Sequence, residues 1–384
     1  MEASAQVQQR DLLCGALLDR GPRAVVVWLA SRITKVPPPK GSTLYPGRIV
    51  SEDPIITDIQ FSNFRVLRDT HLPLSQFTLI VGPNGSGKST ALKAFHYLAY
   101  AGNYSAQTLV SAGIGPDQGQ SVSIRMKFSV PGLRLDGIWH PSWMGLQWQG
   151  SSPEFQRRFG NALAATRVYS FDANILAQPV QLQPNYQLGE RGEGLAAVLD
   201  RLRDQKPERF ESLNAELARW LPEFDRILFD TPGQGARAIL LRTRRGHHSI
   251  PASDISQGTL LALAILTLAY TPERTAAVVC IEEPDRGIHP RLLREVRDAM
   301  YRLAHPQDYG ESRPPIQVIA TTHSPYMLDL FRDHPEEIVI AHKRDTEAAF
   351  ERLSERTDLQ EIIGEAHLGD VWFSGVLGGV PPEE

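Results

Sequence analysis

Residues 77–90 read Phe-Thr-Leu-Ile-Val-Gly-Pro-Asn-Gly-Ser-Gly-Lys-Ser-Thr, an apolar run that enters a glycine-rich turn and continues as an apolar helical pattern over 90–100. Gly82, Gly87, Lys88 and Ser89 fall at the spacing G-x-x-x-x-G-K-[ST]. Strand, loop and helix in that order constrain the fold strongly, because such a loop is built at the carboxyl end of a strand in an α/β sheet. The chemistry follows from the residue types. Backbone N–H groups must approach anionic oxygens with no Cβ in the way, and a helix N-terminus adds partial positive charge. Gly82, Pro83, Asn84, Gly85, Ser86, Gly87, Lys88, Ser89 and Thr90 are therefore the candidate phosphate contacts. Lys88 supplies a point charge, and the Ser89 hydroxyl is a ligand for Mg2+. A nucleoside triphosphate is the implied ligand.

Composition narrows the classes around this loop. Hydrophobic residues make up 42% and charged residues 22% of 384, ordinary globular values that exclude disordered and collagen-like chains. Two cysteines, Cys14 and Cys280, support neither a disulfide framework nor a cysteine-rich zinc module, and fit a reducing cytoplasm. The longest apolar runs, near 24–30 and 260–269, are too short for a membrane span, and the N-terminus has no secretory-signal pattern. A net charge of −4 carries no global nucleic-acid message.

Along the chain, residues 1–50 carry Val-Pro-Pro-Pro-Lys-Gly-Ser at 36–42 and read as an N-terminal extension and linker. Short β-like runs follow at 55–61 and 77–81. The tract 103–250 mixes alternating runs (121–130, 168–171, 238–242) with helical patterns (153–165, 195–205, 207–221), so it reads as an α+β insertion. Trp139, Trp143 and Trp148 within it predict a small local core. Beyond Ser253 a helix (259–270), a strand (276–281), a helix (290–304) and a strand (316–321) alternate, which predicts a parallel sheet.

Three further constellations complete the set. Val278-Val-Cys-Ile-Glu-Glu-Pro sets Glu282 and Glu283 at the carboxyl end of an apolar strand, with Glu282 for the metal and Glu283 for a water. Ser253-Asp-Ile-Ser-Gln-Gly-Thr opens the apolar helix with Ser256, Gln257 and Gly258; a plain helix cap is the simpler explanation of its serines. Gln317-Val-Ile-Ala-Thr-Thr-His-Ser-Pro ends a strand in His323.

In chain order, phosphate loop, Ser-Gln-Gly-Thr, Ile-Glu-Glu-Pro and Thr-Thr-His-Ser-Pro, the motifs resemble the ABC-class ATPase heads of the RecF, OLD and SMC-related group, and more narrowly the small stand-alone ATPases of bacterial defence-type operons, often encoded beside a nuclease-like partner. The match spans about residues 55–340 and is loose over 103–250. It implies an α/β P-loop head at 51–345, with a mostly parallel sheet, an antiparallel β lobe and the 103–250 insertion, followed by a C-terminal tail at 346–384. It implies ATP and Mg2+ as cofactors, with Ser89 and Glu282 on the metal. Glu283 would be the catalytic base, Lys88 a catalytic cation and His323 the γ-phosphate sensor. Arg65, in Asn63-Phe-Arg, would contact the nucleotide. Ser256 and Gly258 would act in trans on ATP held by a second copy, making a homodimer; residues 285–289 would be the loop across that interface. Gln257 departs from the family's usual Asp. Gln178 and Gln183 are both candidates for the Q-loop glutamine.

The functional reading is an ATPase that drives a partner effector in anti-phage defence, the effector carried on another chain. No Asp-x-Asp pair of a Toprim nuclease occurs in the sequence. A DNA-repair ATPase that binds DNA itself is the alternative, with Arg242-Thr-Arg-Arg-Gly-His-His either a backbone contact or a solvated hairpin tip. A transporter nucleotide-binding subunit fits less well, since its signature usually reads Leu-Ser-Gly-Gly-Gln.

Overall fold

The computed structural model describes residues 54–111, 121–271, 278–344, 347–359, 362, 364 and 367–377. The predicted extension 1–50, with Cys14 and the apolar run 24–30, lies outside the described residues.

The chain opens with β1 (Ile56–Phe64), β2 (Leu67–Pro73) and β3 (Phe77–Val81), then α1 (Lys88–Ala99). The middle tract supplies β4 (Val122–Phe128), β5 (Arg134–His140), β6 (Trp143–Gln149), α2 (Pro153–Ala164), β7 (Arg167–Tyr169) and β8 (Val180–Gln181). It continues through α3 (Leu195–Gln205), α4 (Pro207–Trp220), β9 (Phe224–Asp230), β10 (Ala236–Thr243) and β11 (Ser249–Pro251). The last third brings α5 (Gln257–Tyr270), β12 (Val278–Glu282), α6 (Leu293–Ala304), β13 (Gln317–Thr322), α7 (Pro325–Asp329), β14 (Ile338–Arg344), β15 (Glu347–Arg352) and α8 (Leu368–Phe373).

These strands form three sheets. The central one runs β15-β14-β3-β13-β12-β7, parallel throughout except for β15. A five-stranded antiparallel lobe runs β2-β1-β4-β5-β6, and a smaller sheet runs β11-β10-β8 with β9 on β10. The 103–250 tract therefore feeds all three: β4 pairs with β1 at Ile59↔Met126, and β7 borders the central sheet on β12.

Alternation along the central strands divides the core. Val278 and Cys280 pack with Ile80 and Ile319 on the face covered by α1 and the antiparallel lobe. Val279 and Ile281 pack with Phe77, Leu79 and Val81 on the face covered by α3, α4, α5 and α6. Strands buried on both faces are continuously apolar, which is why β3 reads Phe-Thr-Leu-Ile-Val. Helix α5 is apolar all round because it is buried along nearly its whole length. Gln317 ties the two halves: its side-chain amide donates to Ile56 O (2.6 Å) and Ser75 O (2.9 Å) and accepts from Ile56 N–H (3.0 Å). Among the described residues, no helix is long and apolar enough to cross a membrane.

The tryptophans divide. Trp139 is fully buried with its indole N–H on Ala101 O at 3.1 Å, and Trp148 packs against Phe128, Phe155 and Phe159. Trp143 is half exposed at 50% and stacks on His140, so it stands outside the expected small core.

Candidate functional site

Strand β3 ends in the phosphate loop and α1 begins at Lys88. Gly87, the residue capping α1, has φ 87°, a left-handed conformation that glycine adopts without cost. A Cβ there would stand 2.8 Å from the Ala348 Cβ, and a Cβ on Gly82 would stand 2.6 Å from Ala341 O. The loop is thus held tightly against β14 and β15, and two of its glycines are dictated by packing as well as by ligand approach.

Lys88 folds back over the loop. Its Nζ donates to Gly82 O and Pro83 O, each at 2.9 Å, and weakly to Ser86 Oγ at 3.4 Å. Burial lowers its pKa to about 8, against the pull of the Glu283 and Glu282 carboxylates. Gly82 and Pro83 accordingly sit behind the loop as carbonyl partners, while Asn84 through Thr90 face a cavity of about 320 Å³.

Glu282 and Glu283 line the same cavity. Glu282 closes β12, and alternation aims it to the α1 side with Val278 and Cys280. Glu283 would point the other way in a continuing strand. It instead takes φ 46°, uncommon for a non-glycine residue, while its N–H donates to Thr321 O at 3.0 Å. The turn out of the sheet lies at Glu283 itself, one residue before Pro284. Among the described residues, Oε1 of Glu282 is buried with no hydrogen-bond partner. A carboxylate oxygen shut from water without a donor suits a cation, so Glu282 and Ser89, both on this cavity, fit a divalent metal.

His323 follows β13, next to β12 in the sheet, and its Nε2 lies 3.4 Å from Glu283 Oε1. Burial and the nearby Lys88 charge hold its pKa below the usual imidazole value, with Glu283 opposing, so the ring is neutral at neutral pH.

Other expected residues lie elsewhere. Arg65 is not on the cavity wall; its guanidinium donates to Tyr97 Oη at 2.6 Å, and its Nε is buried without a partner among the described residues. Gln178 and Gln183 are exposed and likewise off the wall. Ser256 caps α5, accepting from the Thr259 N–H at 3.3 Å, and with Gln257 is exposed. A Cβ on Gly258 would meet Gly287 O at 2.4 Å, so the start of α5 packs directly on the 285–289 loop. Neither Ser256 nor Gly258 lines the cavity of its own chain.

Two family models match this chain. One, described as "AAA domain, putative AbiEii toxin, Type IV TA system", covers residues 153–329; the other, described as "AAA ATPase domain", covers residues 55–131. An "OLD nuclease" of Thermus scotoductus is 24% identical over 352 residues, spanning 75% of this chain and 64% of that protein. Among solved structures, an SMC head bound to the C-terminal winged-helix domain of ScpA superposes with a TM-score of 0.56 at 15% identity, covering 78% of this chain and 97% of the head. These matches support an ATPase similar to the RecF/OLD/SMC-like group. A Pyrococcus furiosus SMC head with an extended coiled coil, bound to the C-terminal domain of ScpA, repeats the fold likeness at a TM-score of 0.51 and 16% identity, covering 81% of this chain and all of that one.

The cavity also recruits residues that the motifs alone do not mark. Ser170 reaches it one position past β7, and Thr321 from the end of β13. Arg286 reaches it from the 285–289 loop, with its Nη1 3.9 Å from Glu283 Oε2 and its Nη2 donating to Phe171 O. The signal that finds Ser170 is the rule that ligands gather at the carboxyl ends of parallel strands, applied to every strand and not only the acidic one.

Proposed function

We propose that this chain binds ATP with Mg2+ in the phosphate-loop cavity and hydrolyses it as a head-to-tail homodimer. Dimer closure and opening then act as a switch for a separate effector in bacterial anti-phage defence. The observation that carries the reading is the convergence of Lys88, Glu282, Glu283 and His323 on one cavity at the carboxyl edge of the parallel sheet.

The chemistry is positioning and charge stabilisation. Lys88 exchanges its two carbonyl acceptors for oxygens of the β- and γ-phosphates. Ser89 and Glu282 would hold the metal ion, which when bound draws charge from the same phosphates. Glu283, fixed by its left-handed turn and its backbone bond to Thr321, aligns the attacking water. His323 stands beside Glu283, and its ring N–H can steady that carboxylate or turn to the γ-phosphoryl group. Ser256 and Gly258, exposed or half-buried and absent from their own cavity, are available to ATP held by the second copy. Gln257 gives that contact a neutral amide.

The Thermus scotoductus relative is named a nuclease, which supports a nuclease as the class of effector. Direct DNA binding through the basic run is the weaker reading, because the fold uses two of its three arginines. Arg242 is bidentate on Asp225 at 2.8 and 3.0 Å, and Arg244 donates to Pro222 O and Ala218 O at the end of α4.

The test is affinity capture with a tagged Glu283→Gln protein in ATP. An ATP-bound dimer with a stoichiometric partner is expected; a monomer that never dimerises with ATP refutes the head-to-tail site.

A further inference from the structure

A second cavity of about 320 Å³ opens beside the end of β7, away from the phosphate loop. Its size falls within the range of small-molecule sites. Leu188, Val198 and Leu268 give it an apolar floor, and the buried aromatic Tyr169 borders it. Asn185, Gln187 and Arg201 supply the polar groups. Arg201 has no hydrogen-bond or ion-pair partner among the described residues, whereas Arg203 on the same helix is paired with Asp200 at 2.8 Å. An unpaired guanidinium beside two side-chain amides above an apolar floor matches a carboxylate or phosphate attached to an apolar body.

This cavity is tied to the first by covalent and hydrogen bonds. Tyr169 walls one and the adjacent Ser170 walls the other. The loop carrying Asn185 and Gln187 continues to Glu190 and Arg191, whose carbonyls accept from Ser170 N–H at 2.8 Å and Asp172 N–H at 3.0 Å.

We propose that this cavity is a second ligand site, taking a small anion with a planar apolar body on Arg201, and that its occupancy changes nucleotide affinity through the Tyr169–Ser170 strand end. The coupling rests on the nucleotide reading above; the site itself does not.

The experiment is calorimetric titration of the full chain with phenyl phosphate, benzoate and inorganic phosphate, repeated on Lys88→Ala to disable the phosphate loop. Saturable one-to-one binding of phenyl phosphate or benzoate that survives Lys88→Ala is expected, the better of the two naming the anion. Inorganic phosphate should bind more weakly. Arg201→Leu should weaken binding about tenfold or more, and Arg201→Lys should restore part of it. No saturable binding of either probe, or binding indifferent to Arg201→Leu in a protein that melts normally, overturns the site. With the site confirmed, saturating probe should shift the ATP Kd of wild type several-fold; an unchanged Kd overturns the coupling. If ATP fails to bind at all, the nucleotide reading has failed and the anion titration still decides the site.

Discussion

His323 Nε2 stands 3.4 Å from Glu283 Oε1, a contact between the exits of two adjacent parallel strands. It forms because Glu283 turns out of the sheet with φ 46° just where β13 releases the histidine. If Glu283 aligns the water and His323 holds Glu283, removing either breaks one device. Glu283→Gln should lower kcat about a hundredfold or more while keeping ATP binding, and His323→Ala about tenfold or more. The double variant should then lose little beyond Glu283→Gln. Phosphate release and nucleotide binding measured across the four proteins check this; fully additive losses would separate the two roles.

Lys88 gives the site a pH dependence of definite sign. Burial brings its pKa to about 8, so the charge that meets the triphosphate is present below that pH and lost above it in the empty protein. Bound phosphates restore the proton, so binding takes one up at high pH. ATP affinity should therefore fall with rising pH above 8, approaching about tenfold per unit. Titrations at pH 7, 8, 9 and 9.5 with an exposed-lysine control variant, Lys93→Ala, would show it. A flat profile would mean that the ammonium is not the group being desolvated.

How much of this was legible depended on whether the information was local. Phe77–Val81, Leu195–Gln205 and the start of α2 stand where period and caps put them; Ser152 accepts from the Phe155 N–H at 3.2 Å, with Pro153 in the first helical turn. The hairpin β5–β6 was not legible, since Gly137 interrupts the alternation. Its glycine is set by a distant neighbour: a Cβ there would stand 2.4 Å from Leu98 Cδ2. Nor could the sequence assign 122–149 to the β1 lobe, because that depends on pairing such as Ile59↔Met126 across more than sixty residues. At the site, the loop and the acids carry their chemistry in residue type. Ser170 and Arg286 become cavity residues only because their backbones end there.

The tryptophans separate packing from surface chemistry. Trp139 is fully buried and its N–H is satisfied by Ala101 O, so Trp139→Ala should destabilise the fold by about 3–5 kcal/mol. Trp143→Ala, at 50% exposure on the edge strand β6, should cost under about 1 kcal/mol. Urea unfolding of both variants against wild type measures the difference; equal losses would contradict the burial pattern.

The start of α5 poses the sharpest question about assembly. Ser256 is exposed, Gly258 is pressed against Gly287 O so closely that no Cβ fits, and neither touches the phosphate-loop cavity of its own chain. A site completed in trans makes an unusual demand on mixtures. Ser256→Arg keeps a sound phosphate loop but spoils the surface it offers a partner; Lys88→Ala does the reverse. Each alone should be inactive in turnover. Mixed in equal amounts, half the dimers should be hybrids with one intact composite site each, so about a quarter of wild-type sites are regained. Phosphate release from the mixture, compared with each parent, reads this directly. A mixture as inactive as its parents would leave Ser256 without a role across the interface. Full turnover by Ser256→Arg alone would show that each chain completes its own site.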